Sequence, residues 1–114
     1  MIFTQALSGP HQPWSIETED LDATLVSWEE GSGVTAHVNS QVDVVMVVLA
    51  GNGIVRVGSE EQAIEPGMVV VIPKSSVRRV RATKGRLTYL NVHKRRGKLM
   101  PNMTRGSATE GAGT

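Results

Sequence analysis

Apolar and polar residues alternate over short stretches of this chain, and glycine or proline separates the stretches, a pattern typical of β-strands joined by turns. Residues 21–28 and 34–38 predict two half-buried strands with an acidic, glycine-containing turn between them. Residues 42–49 are dense in valine, and β-branched residues favour a strand buried on both faces over a helix.

The second half of the chain repeats this pattern. A turn at 50–53 is followed by strands predicted at 54–57, 62–64, 68–72, 77–82 and 86–93. No stretch before residue 93 shows the apolar spacing of an amphipathic helix. Many short strands with almost no helix predict an all-β sandwich or barrel that removes its exposed edges by closing.

The length of 114 residues is that of one domain. We expect an irregular arm over 1–20, a β-barrel domain over 21–98, and a flexible polar tail over 99–114 in which Gly, Ser, Thr and Ala predominate. The chain shows neither a secretory signal pattern nor an apolar run long enough to span a bilayer. We therefore expect a cytoplasmic protein with no membrane partner.

Cysteine is missing from the chain, which excludes disulfides, thiol nucleophiles and cysteine-held zinc. Residues 1–65 hold ten acids and one base, while residues 66–114 hold one acid and eleven bases. Such asymmetry indicates either a basic surface for nucleic acid or acidic and basic strands that pair and neutralise each other. We favour pairing, because no aromatic residues interleave with the basic run at 94–98, and nucleic acid is not an expected partner.

Two sets of spaced residues resemble the two sequence motifs of the cupin superfamily. The first set is Gly31, His37, Asn39, Val44 and Gly51. The second set is Gly67, Pro73, Ser75, Arg78 and Ala82. The resemblance extends over about residues 21–93. It implies a small conserved-barrel cupin, which is a jelly-roll or double-stranded β-helix barrel with a pocket open at one end.

Metal-binding cupins hold their ion with three histidines and a glutamate. The resemblance places those four ligands at His37, Asn39, Val44 and Arg78. Valine offers no donor and arginine adds a fixed positive charge, so we expect no metal site and no cofactor. Asp43 neighbours the glutamate position, but strand alternation should turn it away from the pocket.

Strand alternation also predicts which side chains line the pocket. The predicted lining residues are His37, Asn39, Val44, Met46, Arg78 and Val80. In one interpretation, Arg78 clamps a carboxylate, sulfate or phosphate while the other polar groups hold a carbonyl or hydroxyl. In the other, the polar residues are relics that bond to each other or to water.

Two functions fit this pocket. The first is a metal-independent binding or accessory domain for a small ligand, and Arg78 favours an anionic one. The alternative is a small cupin enzyme of the isomerase, epimerase or cyclase type, with His37 as general acid or base and Arg78 stabilising developing negative charge. The sequence shows no paired carboxylates and no nucleophile beside a base, which favours binding. The small core and the opposite charges of the two halves predict a homodimer built from the sheet edges.

The last predicted strand carries two faces that the alternation separates. Leu90 and Val92 share one face, and Tyr89, Asn91 and His93 share the other. Burial of the apolar pair is favoured, so we expect the other three at the exterior or at a dimer contact.

Overall fold

The computed structural model describes residues 13–95 and builds them entirely from strands, turns and loops. The seven strands are β1 (Trp14–Glu17), β2 (Leu21–Trp28), β3 (Gly33–Val38), β4 (Val44–Val57), β5 (Glu60–Ile64), β6 (Val69–Ile72) and β7 (Val77–Lys94). The all-β class predicted from the sequence is confirmed. The predicted tail and the first twelve residues of the predicted arm lie outside the described range. Among the described residues, no helix could cross a membrane.

Two long antiparallel strands, β4 and β7, run through the whole barrel and pair with each other at both ends. The first part of β4 and the last part of β7 belong to the first layer, in the strand order β1, β2, β7, β4, β6. The last part of β4 and the first part of β7 belong to the second layer, in the order β3, β7, β4, β5. Every other strand is thus held to the barrel through β4 or β7, except β1, which pairs with β2.

The long strands turn from one layer to the other without ending. The pairing of β4 with β7 shifts register three times between Val48 and Gly53, opposite the segment of β7 near Lys84. The sequence predicted a turn at 50–53 and two separate strands in place of β7. A β-bulge bends a strand and increases its twist while the hydrogen-bonded ladder continues on both sides, so the predicted turn is a bend.

The core occupies the space between the two layers and comes mainly from alternate residues of the long strands, with one residue each from β5 and β6. Its buried members are Val44, Met46, Val48, Val55, Ile64, Ile72, Val80, Ala82, Leu87 and Tyr89. The three predicted apolar lining residues, at positions 44, 46 and 80, belong to this set. Their burial removes apolar surface from water, which is the main favourable contribution to folding.

The prediction for the last strand is wrong, because its polar face lies inside the barrel. Tyr89, Asn91 and His93 are all buried, whereas Leu90 and Val92 are only half-buried on the outer face. Both faces of this segment contain apolar residues, so its own alternation did not determine which face turns inward.

The register with β4 decides the orientation. Met46 is the cross-strand partner of Asn91, and Val44 is the partner of His93. Partners in an antiparallel ladder project to the same face, and these two apolar side chains of β4 are fully buried. Asn91 and His93 of β7 therefore face the core because their cross-strand partners on β4 do.

Gly51 occupies the bend of β4 and provides a direct test of it. Its φ is 75°, and a Cβ atom there would collide with the carbonyl oxygen of Arg86 on β7. Gly58 has a similar φ of 61° but open space around it. We predict that Gly58→Ala costs about 1 kcal/mol from backbone strain, and that Gly51→Ala costs about 3 kcal/mol or more because backbone must also move.

Urea unfolding of the two glycine variants and the parent protein measures this difference. Equal losses for both variants would show that β4 and β7 do not approach closely at the bend.

Candidate functional site

The histidine of the first motif and the arginine of the second motif lie opposite each other on neighbouring strands of the barrel. His37 on β3 is the cross-strand partner of Arg78 on β7, so their side chains project to the same face. Arg78 is only 3% exposed, and His37 is half-buried. Arg79 and Arg81 are exposed, which agrees with the alternation expected from the sequence. A guanidinium group is thus enclosed by the protein at the second-motif position.

Asn39 combines a structural role with an available donor. Its Oδ1 accepts hydrogen bonds from the backbone N–H groups of Gln41, at 3.0 Å, and Val42, at 3.3 Å. Its backbone oxygen accepts from the N–H of Ser75 at 2.6 Å, which ties the first motif to the second. The Nδ2 group is buried and has no hydrogen-bond partner within residues 13–95. Asn39 therefore shapes the loop, and its amide hydrogens make no hydrogen bond within the described residues.

Tyr89 lies inside the barrel, although the sequence predicted it at the exterior or at a dimer contact. It is 1% exposed, and its hydroxyl oxygen accepts a hydrogen bond from the indole N–H of Trp28 at 2.9 Å. Burial raises the pKa of Tyr89, while the Trp28 hydrogen bond and the positive charge of Arg78 both act to lower it. The phenol therefore keeps its proton at neutral pH and can donate it to a further acceptor.

Alternation along β7 does not predict that the side chain of Tyr89 points into the barrel. Residues at even positions, Arg78 and Val80, point inward in the first part of this strand. Residues at odd positions, Leu87 and Tyr89, point inward in the second part. The irregular segment between them changes the parity, so counting in twos from Arg78 places Tyr89 on the wrong face.

A second polar group of side chains lies near the end of β7. His93 is buried, and its Nδ1 lies 2.8 Å from the carbonyl oxygen of Lys94. Asp22 on β2 is the cross-strand partner of His93, and its Oδ1 is buried with no hydrogen-bond partner among the residues described. A cavity of about 420 Å³ opens beside His93, with Lys74 and Lys94 among its lining residues. Asp43 lines the same cavity, so charges of both signs lie at this end of the barrel.

The four positions that would hold a metal do not fit one. Val44 is buried in the core and has no donor atom, and Arg78 places a cation where the ion would sit. Across residues 13–95, no group of three or more His, Asp or Glu side chains is arranged to bind a metal ion. Asp43 is exposed, and its Oδ1 accepts from the backbone N–H of Lys74 at 2.8 Å, so it faces outward as expected. The donor set favours an anionic or acceptor-rich ligand.

Comparison with protein families finds one match, in which the family model for the cupin domain covers residues 24–93. No curated protein sequence matches the chain.

Solved structures give matches to the same barrel. A protein from Thermus thermophilus is 27% identical, with a TM-score of 0.68, and the match covers 81% of this chain and 91% of that chain. KdgF from a Halomonas species is 22% identical, with a TM-score of 0.70, over 82% of this chain and 86% of that one. A cupin protein from Bacteroides fragilis is 15% identical, with a TM-score of 0.72, over 86% and 88% of the two chains.

The environment of Tyr89 predicts how it titrates. It is the only tyrosine in the chain, so the ultraviolet absorbance of its phenolate reports on it alone. We expect ionisation of the folded protein only above the ordinary pKa of 10.0, because burial disfavours the charged form. Since the unfolded state then loses its proton first, the contribution of Tyr89 to stability is complete below about pH 10 and declines above it.

Removal of the nearby cation should shift this titration. Arg78→Gln deletes a charge that lowers the pKa of Tyr89, so the absorbance transition should move to higher pH. Arg86→Gln, an exposed arginine of the same strand, should leave it in place. A Tyr89 that titrates at the ordinary value in the parent protein would contradict the enclosed site.

Proposed function

Because the chain belongs to the cupin domain family, we propose that it uses the cupin barrel as a metal-independent binding module for a small organic anion. The observation that carries this proposal is Arg78, a guanidinium that is 3% exposed inside the barrel. Its planar fork of donors matches the two oxygens of a carboxylate, and such charge-assisted pairs are among the strongest hydrogen bonds in proteins.

Other donors support the same ligand chemistry. The Tyr89 hydroxyl already accepts a hydrogen from Trp28, so its own O–H is available for donation. Asn39 contributes the buried amide hydrogens described above. Charged or polar donors enclosed in an apolar barrel are typical of a site for a ligand rich in acceptor oxygens. A small carboxylate meets this requirement.

The enzyme alternative uses the same residues. His37 lies directly across from Arg78. In an enzyme, His37 would act as general acid or base, and Arg78 beside it would stabilise developing negative charge. A catalytic histidine is usually oriented by a carboxylate or another third group. The cross-strand partner of His37 is the cation Arg78, so we favour binding over an isomerase, epimerase or cyclase reaction.

We also propose a homodimer, and a sheet face supports it beside the sheet edges expected from the sequence. The outer valine face of the first layer consists of Val45, Val47, Val69, Val71, Leu90 and Val92. Three of its members are strongly exposed, Val45 at 40%, Val69 at 60% and Val71 at 61%. Contiguous exposed apolar residues of this kind mark association surfaces.

A second copy of the chain is the partner that suits this face. None of its six side chains is polar, so two copies related by a two-fold axis meet there without burying a charge. Lys94 and Lys74 lie beyond the face, among the residues that line the cavity at its end. An apolar centre with a charged rim is the usual anatomy of a protein interface.

Binding of a carboxylate should raise the melting temperature. At ligand concentrations well above the dissociation constant, we expect a shift of about 5 °C or more with the best member of a panel of acetate, malonate, succinate and citrate. Arg78→Gln should abolish the shift, because it removes the charged fork, while Arg86→Gln should keep it.

Circular dichroism confirms that Arg78→Gln folds, and Tyr89→Phe provides a second variant that should reduce the shift. A panel that stabilises neither the parent nor the variants, or stabilises all of them equally, would contradict binding at Arg78.

The oligomeric state is predicted to depend on the outer valine face. The parent protein should sediment as a dimer, and Val71→Lys should produce a monomer because it places a charge within the contact. Val77→Lys is the matched control, since Val77 is 46% exposed on the other layer and should leave the dimer intact. A monomeric parent at high micromolar concentration, or a dimeric Val71→Lys variant, would exclude this face.

A further inference from the structure

The outer surface of the second layer carries three arginines around one concavity. Arg56 on β4 is the cross-strand partner of Arg79 on β7, and Ile54 is the partner of Arg81. All three arginines are exposed, and they line a cavity of about 710 Å³. We call this the arginine cavity, and its three arginines point to the opposite side of the sheet from Arg78.

The arrangement of charges in the arginine cavity is unfavourable for the free protein. Like charges directly opposite each other on neighbouring strands are destabilising. Within residues 13–95, the ion pairs are Arg86 with Glu29 and Arg95 with Glu17, so none of the three cavity arginines takes part in one. Glu61 on β5 also lines the cavity and is the cross-strand partner of Arg56, but three arginines against one glutamate leave an excess of two positive charges. The surface is therefore complementary to an anion.

The remaining lining residues indicate that the ligand has an apolar part. Ile54 lies between the arginines, and Trp28 lines the wall with its N–H already donated to Tyr89. Gly33 lies across from Arg81, and a Cβ atom there would collide with the backbone of Val80. This close approach keeps the position opposite Arg81 without a side chain, which leaves room for a ligand beside the guanidinium group.

We propose that the arginine cavity binds a phosphate ester that carries an aromatic ring. The phosphate oxygens bond to Arg56, Arg79 and Arg81, and the ring packs on Trp28 and Ile54. A free nucleotide and a single nucleic-acid strand both present this chemistry. This site is separate from the carboxylate site proposed above and does not depend on it.

Titration calorimetry with adenosine monophosphate, inorganic phosphate and a short oligodeoxyadenylate tests the proposal. Adenosine monophosphate should bind more tightly than inorganic phosphate, because only the former has a ring to pack on Trp28. Arg56→Gln and Arg81→Gln should each weaken its binding about tenfold or more, through loss of charge-assisted hydrogen bonds. Glu61→Gln should strengthen binding, because it removes the one acid of the cavity.

Lys84→Gln is the matched control, since Lys84 is an exposed cation of the same strand outside the cavity and should leave affinity unchanged. If the oligonucleotide binds with higher affinity than the mononucleotide and with a steep salt dependence, the natural ligand is a nucleic-acid strand; otherwise it is a free nucleotide. Absence of binding by either, or equal losses in Lys84→Gln and Arg81→Gln, would overturn the proposal. Excess carboxylate should not compete, which separates this result from the fate of the Arg78 site.

Discussion

The pairing of β4 with β7 is the interaction on which the rest of this structure depends. These two strands form the centre of both layers. Each of the other five described strands pairs with one of them directly, except β1, which is attached through β2. A pair of strands that long can belong to two layers only if both bend at the same place. The bulged pairing near Gly51 supplies that bend, and the absence of a Cβ atom there lets the strands stay in contact through it.

The bend also has a chemical consequence, because it changes which residues of each strand point inward. In β4 the inward positions pass from even, as at Met46, to odd, as at Val55. In β7 they pass from even, as at Arg78, to odd, as at Tyr89. Two segments of one strand thereby contribute to one interior, and a cation and a neutral phenol are brought close enough for the charge of Arg78 to affect the pKa of Tyr89.

Charge is distributed on the folded surface in two ways. Glu17 pairs with Arg95, and Glu29 pairs with Arg86, so acids from the start of the chain meet bases from its end. Each such exposed pair contributes little to stability, about 0–1 kcal/mol. The middle of β7 has a different neighbour, since Arg79 faces Arg56. Neutralisation by strand pairing is therefore partial, and Arg56, Arg79 and Arg81 leave positive charge on the outer face of the second layer.

The sequence by itself determined the all-β class, the family and the inward position of Arg78. These follow from local signals, namely short β-branched stretches, glycine and proline at turns, and motif spacing within single strands. Asn39 and Val44 are buried, and their contact with a ligand stays a prediction that such signals do not decide. Alternation holds only as far as a strand is regular.

Only the tertiary structure decided the rest of the site. The inward orientation of Tyr89, Asn91 and His93 depends on the bend in β7 and on the register with β4. Neither feature can be recognised from the sequence of this segment alone. The pairing of Arg56 with Arg79 depends equally on register, because a shift of one residue would place another residue of β7 opposite Arg56. Local patterns specify which faces a strand has, but the pairing of distant strands determines which face turns inward and what lies opposite it.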